Sequence, residues 1–113
     1  MVEISKQDDT LVIGDNIVHF DAPIAQHIEY DGFVVIRTEN IGGGHPDTDR
    51  NVHAINLDGT TRWKIPKKPD HQPRPYTNIY TKDDGDLWTY NFSGNLYQLD
   101  PETGEILTEK FVK

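Results

Sequence analysis

The chain has no cysteine, which excludes disulfides, thiolate metal sites and cysteine nucleophiles. Serine is nearly absent as well, because Ser5 and Ser93 are the only two, and neither stands in the G-x-S-x-G turn of a hydrolase. The longest uninterrupted apolar run, residues 33–36, is far shorter than the roughly 20 residues of a membrane span. The N-terminal segment shows no basic-then-apolar signal pattern. We therefore expect a cytoplasmic protein with no membrane association.

Positive charge is scarce relative to negative charge. There are 11 Lys and Arg against 19 Asp and Glu, which gives a net charge of −8 with neutral histidines. Residues 62–74 hold five basic residues and one acid, Asp70, so this stretch carries +4 and the remainder carries −12. Because an acidic body repels a polyanion, we predict no nucleic-acid partner. A basic protein is the partner that such a field favours, since it accelerates encounter with a cationic cleft.

The 113 residues suffice for one domain with a modest core. Apolar segments are short, β-branched or aromatic, and closed by Gly, Asn, Asp or Pro, which is typical of antiparallel strands and tight turns. We predict an all-β protein in which antiparallel meanders form a two-sheet or strongly curved single-sheet domain. The predicted strands are residues 10–13, 17–20, 24–30, 33–38, 52–57, 61–65, 76–81, 87–92, 95–99 and 106–112.

A short helix is the alternative for two of these segments. Ile24 and Ile28 are four residues apart, as are Leu107 and Phe111, and this is the spacing of one helix face. We assign both segments as strands. The predicted core is apolar: Val12, Ile17, Val18, Ile28, Val34, Ile36, Ile55, Trp63, Ile79, Trp88, Tyr90, Leu99 and Phe111. In residues 87–92 the alternation places Trp88, Tyr90 and Phe92 on one face, which we expect to be buried.

Two long connections interrupt the strands. Residues 40–51 are glycine-rich and polar, whereas residues 66–75 hold four of the seven prolines and are expected to form an extended strap. The strap separates two halves that resemble each other. The single domain therefore divides into an N-terminal hairpin (1–23), a first four-stranded meander (24–65), the strap (66–75) and a second four-stranded meander (76–113).

Residues 94–107 read GNLYQLDPETGEIL and resemble the repeat of quinoprotein-type (PQQ-like) β-propeller blades, in which a strand G-x-L-Y-x-L-D runs through x-x-T-G into the next strand. Residues 51–65 are a degenerate second copy, with Trp63 on the following strand. The resemblance implies blade-like four-stranded units. Two units cannot close a propeller ring, which typically needs four or more. The family's cofactor site lies in the channel of a complete ring, so the resemblance implies no quinone, and we expect no cofactor.

Residues near the glycine-rich loop could hold a divalent ion through nitrogen and oxygen ligands, the candidates being His45, Asp47, Asp49 and His53. They lack the H-E-x-x-H spacing that places two imidazoles on one helix face. The same stretch imitates a calcium-binding loop, but Val52 occupies the position that requires glycine. We therefore interpret the loop as solvated and predict no metal site.

No catalytic motif emerges, so we predict a protein that is not an enzyme. A small, acidic, cysteine-free chain has the overall type of bacterial immunity proteins and antitoxins, which block basic nuclease toxins. The alternative is a structural β-propeller-like repeat module that assembles with itself or docks on a larger protein. Tyr76 and Tyr80 have the opposite parity from Ile79, so we expect them to be exposed. The candidate partner-binding residues are Asp70, Tyr76, Tyr80, Asp83, Asp84 and Asp86.

Overall fold

The computed structural model of the protein describes residues 3–39, 50–66, 75–82, 85–92 and 94–111. Within these ranges the regular structure consists of strands alone, so the all-β prediction is confirmed. No helix capable of spanning a membrane occurs among them. The strands are β1 (Ile4–Gln7), β2 (Thr10–Ile13), β3 (Asn16–His19), β4 (Ile24–Tyr30), β5 (Phe33–Thr38), β6 (Val52–Asn56), β7 (Thr61–Lys64), β8 (Tyr76–Thr81), β9 (Leu87–Asn91), β10 (Asn95–Leu99) and β11 (Ile106–Phe111).

The described strands form three antiparallel sheets, with orders β1-β2-β3, β4-β5-β6-β7 and β8-β9-β10-β11. The second and third sheets correspond to the two predicted four-stranded meanders, and both segments with a helix alternative are strands. The expectation of two sheets or one curved sheet matches only roughly, because the N-terminal segment forms a third sheet of its own. The predicted hairpin there gains a third strand: β1 pairs with β2 in the register Ile4↔Ile13 to Gln7↔Thr10.

The second sheet lies between the other two and is buried on both faces. One apolar cluster joins it to the third sheet and includes Val35, Trp63 and Tyr97. The other joins it to the first sheet and includes Ile13 and Val34. This position explains the uninterrupted apolar run at residues 33–36, each of which is at most 1% exposed, because a strand covered on both sides needs no alternation.

Two side-chain amides tie the second sheet to the third. The Gln26 amide donates to Asn78 Oδ1 (2.8 Å), and its oxygen accepts from the Ile79 N–H (3.0 Å). The buried Asn51 amide donates to Tyr76 O (2.9 Å) and accepts from Tyr76 N–H (2.9 Å). These bonds satisfy backbone groups of β8 next to its bulge between Tyr76 and Asn78. The side chains thereby join two sheets that share no backbone ladder.

Most of the predicted core is confirmed. Seven of its residues are buried, namely Val34, Ile36, Ile55, Trp63, Ile79, Trp88 and Leu99, and four are half-buried, namely Val12, Val18, Ile28 and Tyr90. The side chain of Phe111 lies outside the described part of the chain.

Two apolar residues were wrongly expected to be buried. Ile17 is 62% exposed. It is paired with Val12, and both side chains lie on the outer face of the first sheet. Phe92 is 61% exposed, because β9 ends at Asn91 and Phe92 lies in the turn that follows.

Candidate functional site

The connections that follow the even-numbered strands lie together at one end of the sheets, which we call the turn end. Antiparallel pairing places the β4–β5 and β6–β7 turns at the same end of the second sheet. Contacts between sheets bring in the others. Asn16 Nδ2 at the β2–β3 turn donates to Leu57 O (3.0 Å), and the Tyr30 hydroxyl donates to Gly85 O in the β8–β9 connection (3.2 Å).

The β10–β11 turn is joined to the second sheet by β7. Trp63 Nε1 donates to Pro101 O (2.8 Å), and the indole ring lies against the backbone of Gly104. The neighbouring Arg62 guanidinium pairs with the Glu102 carboxylate and lies 4.1 Å from the ring centroid of Phe33. All five turns are thus parts of one surface.

Every turn of this surface carries at least one carboxylate, the set being Asp15, Asp31, Asp58, Asp86, Asp100, Glu102 and Glu105. The cations described in the same region are Arg62, which is paired with Glu102, and Lys82, which lies 4.3 Å from the ring centroid of Trp88. Seven negative and two positive charges leave −5. Such a surface attracts lysine and arginine side chains and repels anions.

The turns hold their carboxylates in defined positions. Asp58 Oδ1 accepts hydrogen bonds from the Thr60 hydroxyl (2.6 Å) and the Thr60 N–H (3.0 Å), and these bonds lower the pKa of the Asp58 carboxyl. Asp100 Oδ1 accepts from the Glu102 N–H (2.9 Å). Burial and the nearby Asp86 raise the pKa of the Tyr30 hydroxyl. The tyrosine at this surface therefore stays neutral and acts as a hydrogen-bond donor.

The structure brings together only some of the predicted partner-binding residues. Asp86 lies at the turn end, and Tyr80 is half-buried on β8, opposite Trp88. The prediction that Tyr76 is exposed was wrong. It is 1% exposed and meets Tyr97 edge-on with 5.9 Å between ring centroids, because the β8 bulge shifts its parity onto the Ile79 face. The remaining candidates, Asp70, Asp83 and Asp84, lie outside the described residues.

Sequence reasoning missed the carboxylates of the other turns. The candidate partner-binding residues did not include Asp15, Asp31, Asp58 or Glu105, because acidic residues beside glycine are expected in turns for conformational reasons. A signal was available, because in a series of antiparallel meanders every second connection lies at the same end of a sheet. That rule alone groups the acidic turns within each sheet.

The candidate metal ligands are not brought together by the residues described. His45, Asp47 and Asp49 lie outside the described ranges, and among the described residues there is no group of three or more potential His, Asp or Glu ligands. His53 lies on β6, at the end of the sheets opposite the turn end. Burial, together with Lys64 and Arg50, lowers the pKa of this imidazole to about 4, although Asp21 opposes the shift.

Comparison with known proteins gives a family and a fold. Residues 1–111 match the model of a family described as "Domain of unknown function (DUF7957)". No curated protein matches the chain. Among solved structures, the fold is similar to that of a crystal structure of the computationally designed Ika8 protein, with a TM-score of 0.63 and 14% identity. The alignment covers 99% of this chain and 36% of that one, so the chain spans about a third of the length of the designed protein.

Proposed function

The chain belongs to the DUF7957 family, and we propose that it is a non-catalytic, acidic binding protein of the cytoplasm. Its function would be that of an immunity- or antitoxin-type inhibitor, which neutralises a basic, nuclease-type toxin by blocking its cleft. The observation that supports this proposal is the turn end, where five turns from three sheets present carboxylates on one surface. A nuclease cleft is lined with cations that bind phosphates, and an inhibitor of that cleft needs the opposite charge.

The turn end suits this task because its shape is fixed before a partner arrives. The Trp63–Pro101 and Tyr30–Gly85 hydrogen bonds hold turns of different sheets against each other, and Asp58 and Asp100 are fixed by bonds within their own turns. A preformed surface loses little conformational entropy on binding. Its charge also steers the approach of a cationic partner and raises the association rate.

The test is charge reversal at two turn-end carboxylates that make no described hydrogen bond, Asp31→Lys with Asp86→Lys. The partner to be tested is the product of the neighbouring reading frame, since this proposal places the gene beside that of its toxin. Stopped-flow association at low salt should slow by about tenfold or more, and the dependence of the rate on salt should flatten. Nuclease assays should show inhibition by the unmodified chain at equimolar concentration.

The matched control reverses two carboxylates at the opposite end, Asp9→Lys with Glu39→Lys, which changes the net charge by the same amount. At about 0.1 M salt, where charges more than roughly 10 Å apart are largely screened, this variant should associate within about threefold of the unmodified rate, and the turn-end double variant should remain the slower of the two. Equal slowing by both double variants would mean that net charge alone matters and would remove the turn end as a site. A neighbouring product that the chain neither binds nor inhibits would count against the proposal as a whole.

A second candidate is a structural, β-propeller-like repeat module that assembles with itself, and the outer faces of the terminal sheets favour it. On the third sheet Trp88 lies beneath Lys82 and Lys110, at 4.3 and 5.4 Å from its ring centroid. Its Nε1 is buried without a hydrogen-bond partner among the described residues. On the first sheet Ile17 is 62% exposed. Contact between such different faces of successive copies would generate a ring or a filament.

Light scattering separates the two candidates. If the protein is an inhibitor, we expect a monomer at micromolar concentration. If it is a repeat module, we expect a closed assembly, and the Ile17→Lys variant should be a monomer. Glu39→Lys, which lies away from both outer faces, should leave the assembly intact. A monomer at every concentration tested would remove this second candidate.

A further inference from the structure

A polar cavity of about 140 Å³ opens between the first and second sheets at the end opposite the turn end, and we call it the basal cavity. It is large enough for several water-sized groups, since one water needs only about 10–15 Å³ on this measure. Five parts of the fold converge on it: the end of β3 with the connection to β4, the end of β5, the segment before β6, β6 itself and β7. Its lining includes His19, Phe20, Asp21, Arg50, His53 and Lys64.

The charge of the basal cavity is positive. Among the described residues that line it, two cations, Arg50 and Lys64, stand against one carboxylate, Asp21, which gives these residues +1 with neutral histidines. Arg50 Nε donates to Ile65 O (3.0 Å), which fixes the guanidinium plane. Within the described part of the chain that is the only hydrogen bond of the guanidinium, so its terminal nitrogens remain available to a ligand.

His53 supplies a second reason to expect a ligand. Its ring packs against Phe20, with 5.3 Å between centroids and 52° between planes, and it is mostly withdrawn from solvent. A neutral imidazole has one donor and one acceptor nitrogen, yet neither makes a hydrogen bond to any described residue. Because His53 lines the cavity, its ring can offer a hydrogen bond to a molecule that enters.

We propose that the basal cavity binds a small oxyanion, and that dihydrogen phosphate is the chemical form it fits best. Phosphate oxygens would accept hydrogen bonds from Arg50, Lys64 and the His53 N–H. Charge-assisted bonds from a guanidinium to phosphate are among the strongest in proteins. The hydroxyl of the protonated anion would donate to the Asp21 carboxylate, which acetate ion cannot do. This site does not depend on the function proposed for the turn end.

The test follows the histidine ring signals of the full-length, isotopically labelled protein by NMR at pH 6.5 while sodium phosphate is added at constant ionic strength. Sodium acetate and sodium chloride are the parallel arms, and His53→Gln assigns the His53 signals. We expect a saturable shift of these signals with phosphate, half-complete at roughly millimolar concentration, which corresponds to a modest binding free energy. Acetate should bind at least about tenfold more weakly, and chloride should give no saturable shift.

Two variants test the cations independently. Arg50→Gln and Lys64→Gln should each weaken phosphate binding by about tenfold or more, whereas the matched control Arg62→Gln at the turn end should leave it unchanged. Backbone amide spectra show whether each variant is folded, and one folded variant is enough to test whether the cations of the cavity bind phosphate. Equal responses to phosphate and chloride, or undiminished binding in both cavity variants, would overturn the proposal. Acetate binding as tight as phosphate would refute the role assigned to Asp21.

Discussion

Replacing Gly104 by alanine should lower the free energy of unfolding by about 3 kcal/mol. Gly104 has a φ of 76°, a conformation that costs an L-residue roughly 1–2 kcal/mol. A Cβ at this position would lie 2.5 Å from two ring carbons of Trp63. The ring cannot withdraw without breaking its hydrogen bond to Pro101 O, and such overpacking costs about 1–3 kcal/mol. Urea unfolding at pH 7.5 measures the change.

Gly32→Ala is the matched control. Gly32 also has positive φ (91°), but nothing lies within 4 Å of the position its Cβ would take. The alanine there should cost about 1 kcal/mol, since only the backbone is strained and part of that strain is offset by a less flexible unfolded chain. The difference between the two variants isolates the contact between Trp63 and the β10–β11 turn. Equal losses at the two glycines would show that this contact is loose.

Acidification from pH 7.5 to 5.0 should cost the protein about 2 kcal/mol through His53 alone. The pKa of His53 is lowered from 6.5 to about 4 in the folded state. Between these values the unfolded chain binds a proton that the folded chain does not, so stability is present above about pH 6.5 and is lost as the pH falls towards 4. Arg50, Lys64, Asp21 and His19 are the titratable or charged neighbours that line the same cavity.

The measurement compares urea unfolding of the unmodified chain and His53→Gln at both pH values, in a sulfonate buffer without phosphate. Glutamine does not titrate, so the stability advantage of the unmodified chain over the variant should shrink by about 2 kcal/mol at the lower pH. All other titrating groups are common to both proteins and cancel in the difference. An advantage that is the same at pH 5.0 and 7.5 would mean that the folded imidazole accepts its proton as readily as the unfolded one.

Turn chemistry predicted much of the fold. Strands β4 and β5 were predicted to the residue, because Asp31-Gly32 is a turn sequence and Gly32 adopts the positive φ that the turn requires. Strand β1, with the sequence ISKQ, was not predicted. It contains one apolar residue and is held by backbone pairing with β2, so its side chains show no strand pattern. The bulge that buries Tyr76 cannot be recognised in the alternation of apolar and polar residues. The prediction that Tyr76 is exposed was wrong for this reason.

The two sites could be predicted only in part. Asp86 was found from its acidic turn, and His53 was found as a potential ligand. The residues that surround Asp86 and His53 in the structure are brought there by contacts between sheets, such as Tyr30 with Gly85 and Phe20 with His53. These contacts join residues whose separation along the chain obeys no local period. A sequence pattern describes a strand and its turn, but it does not describe which sheets face each other.

Each described strand pairs only with its neighbour in the chain, and this has a consequence for the growing polypeptide. Loop closure costs little chain entropy even for the longest connection within a sheet, residues 39–51, because the cost grows only slowly with length. A sheet can therefore form as soon as its last strand leaves the ribosome. The links between sheets, such as Gln26 with Ile79, must wait for the following sheet. During synthesis the three sheets would therefore form one after another. The second sheet would keep one apolar face uncovered until the third sheet has emerged.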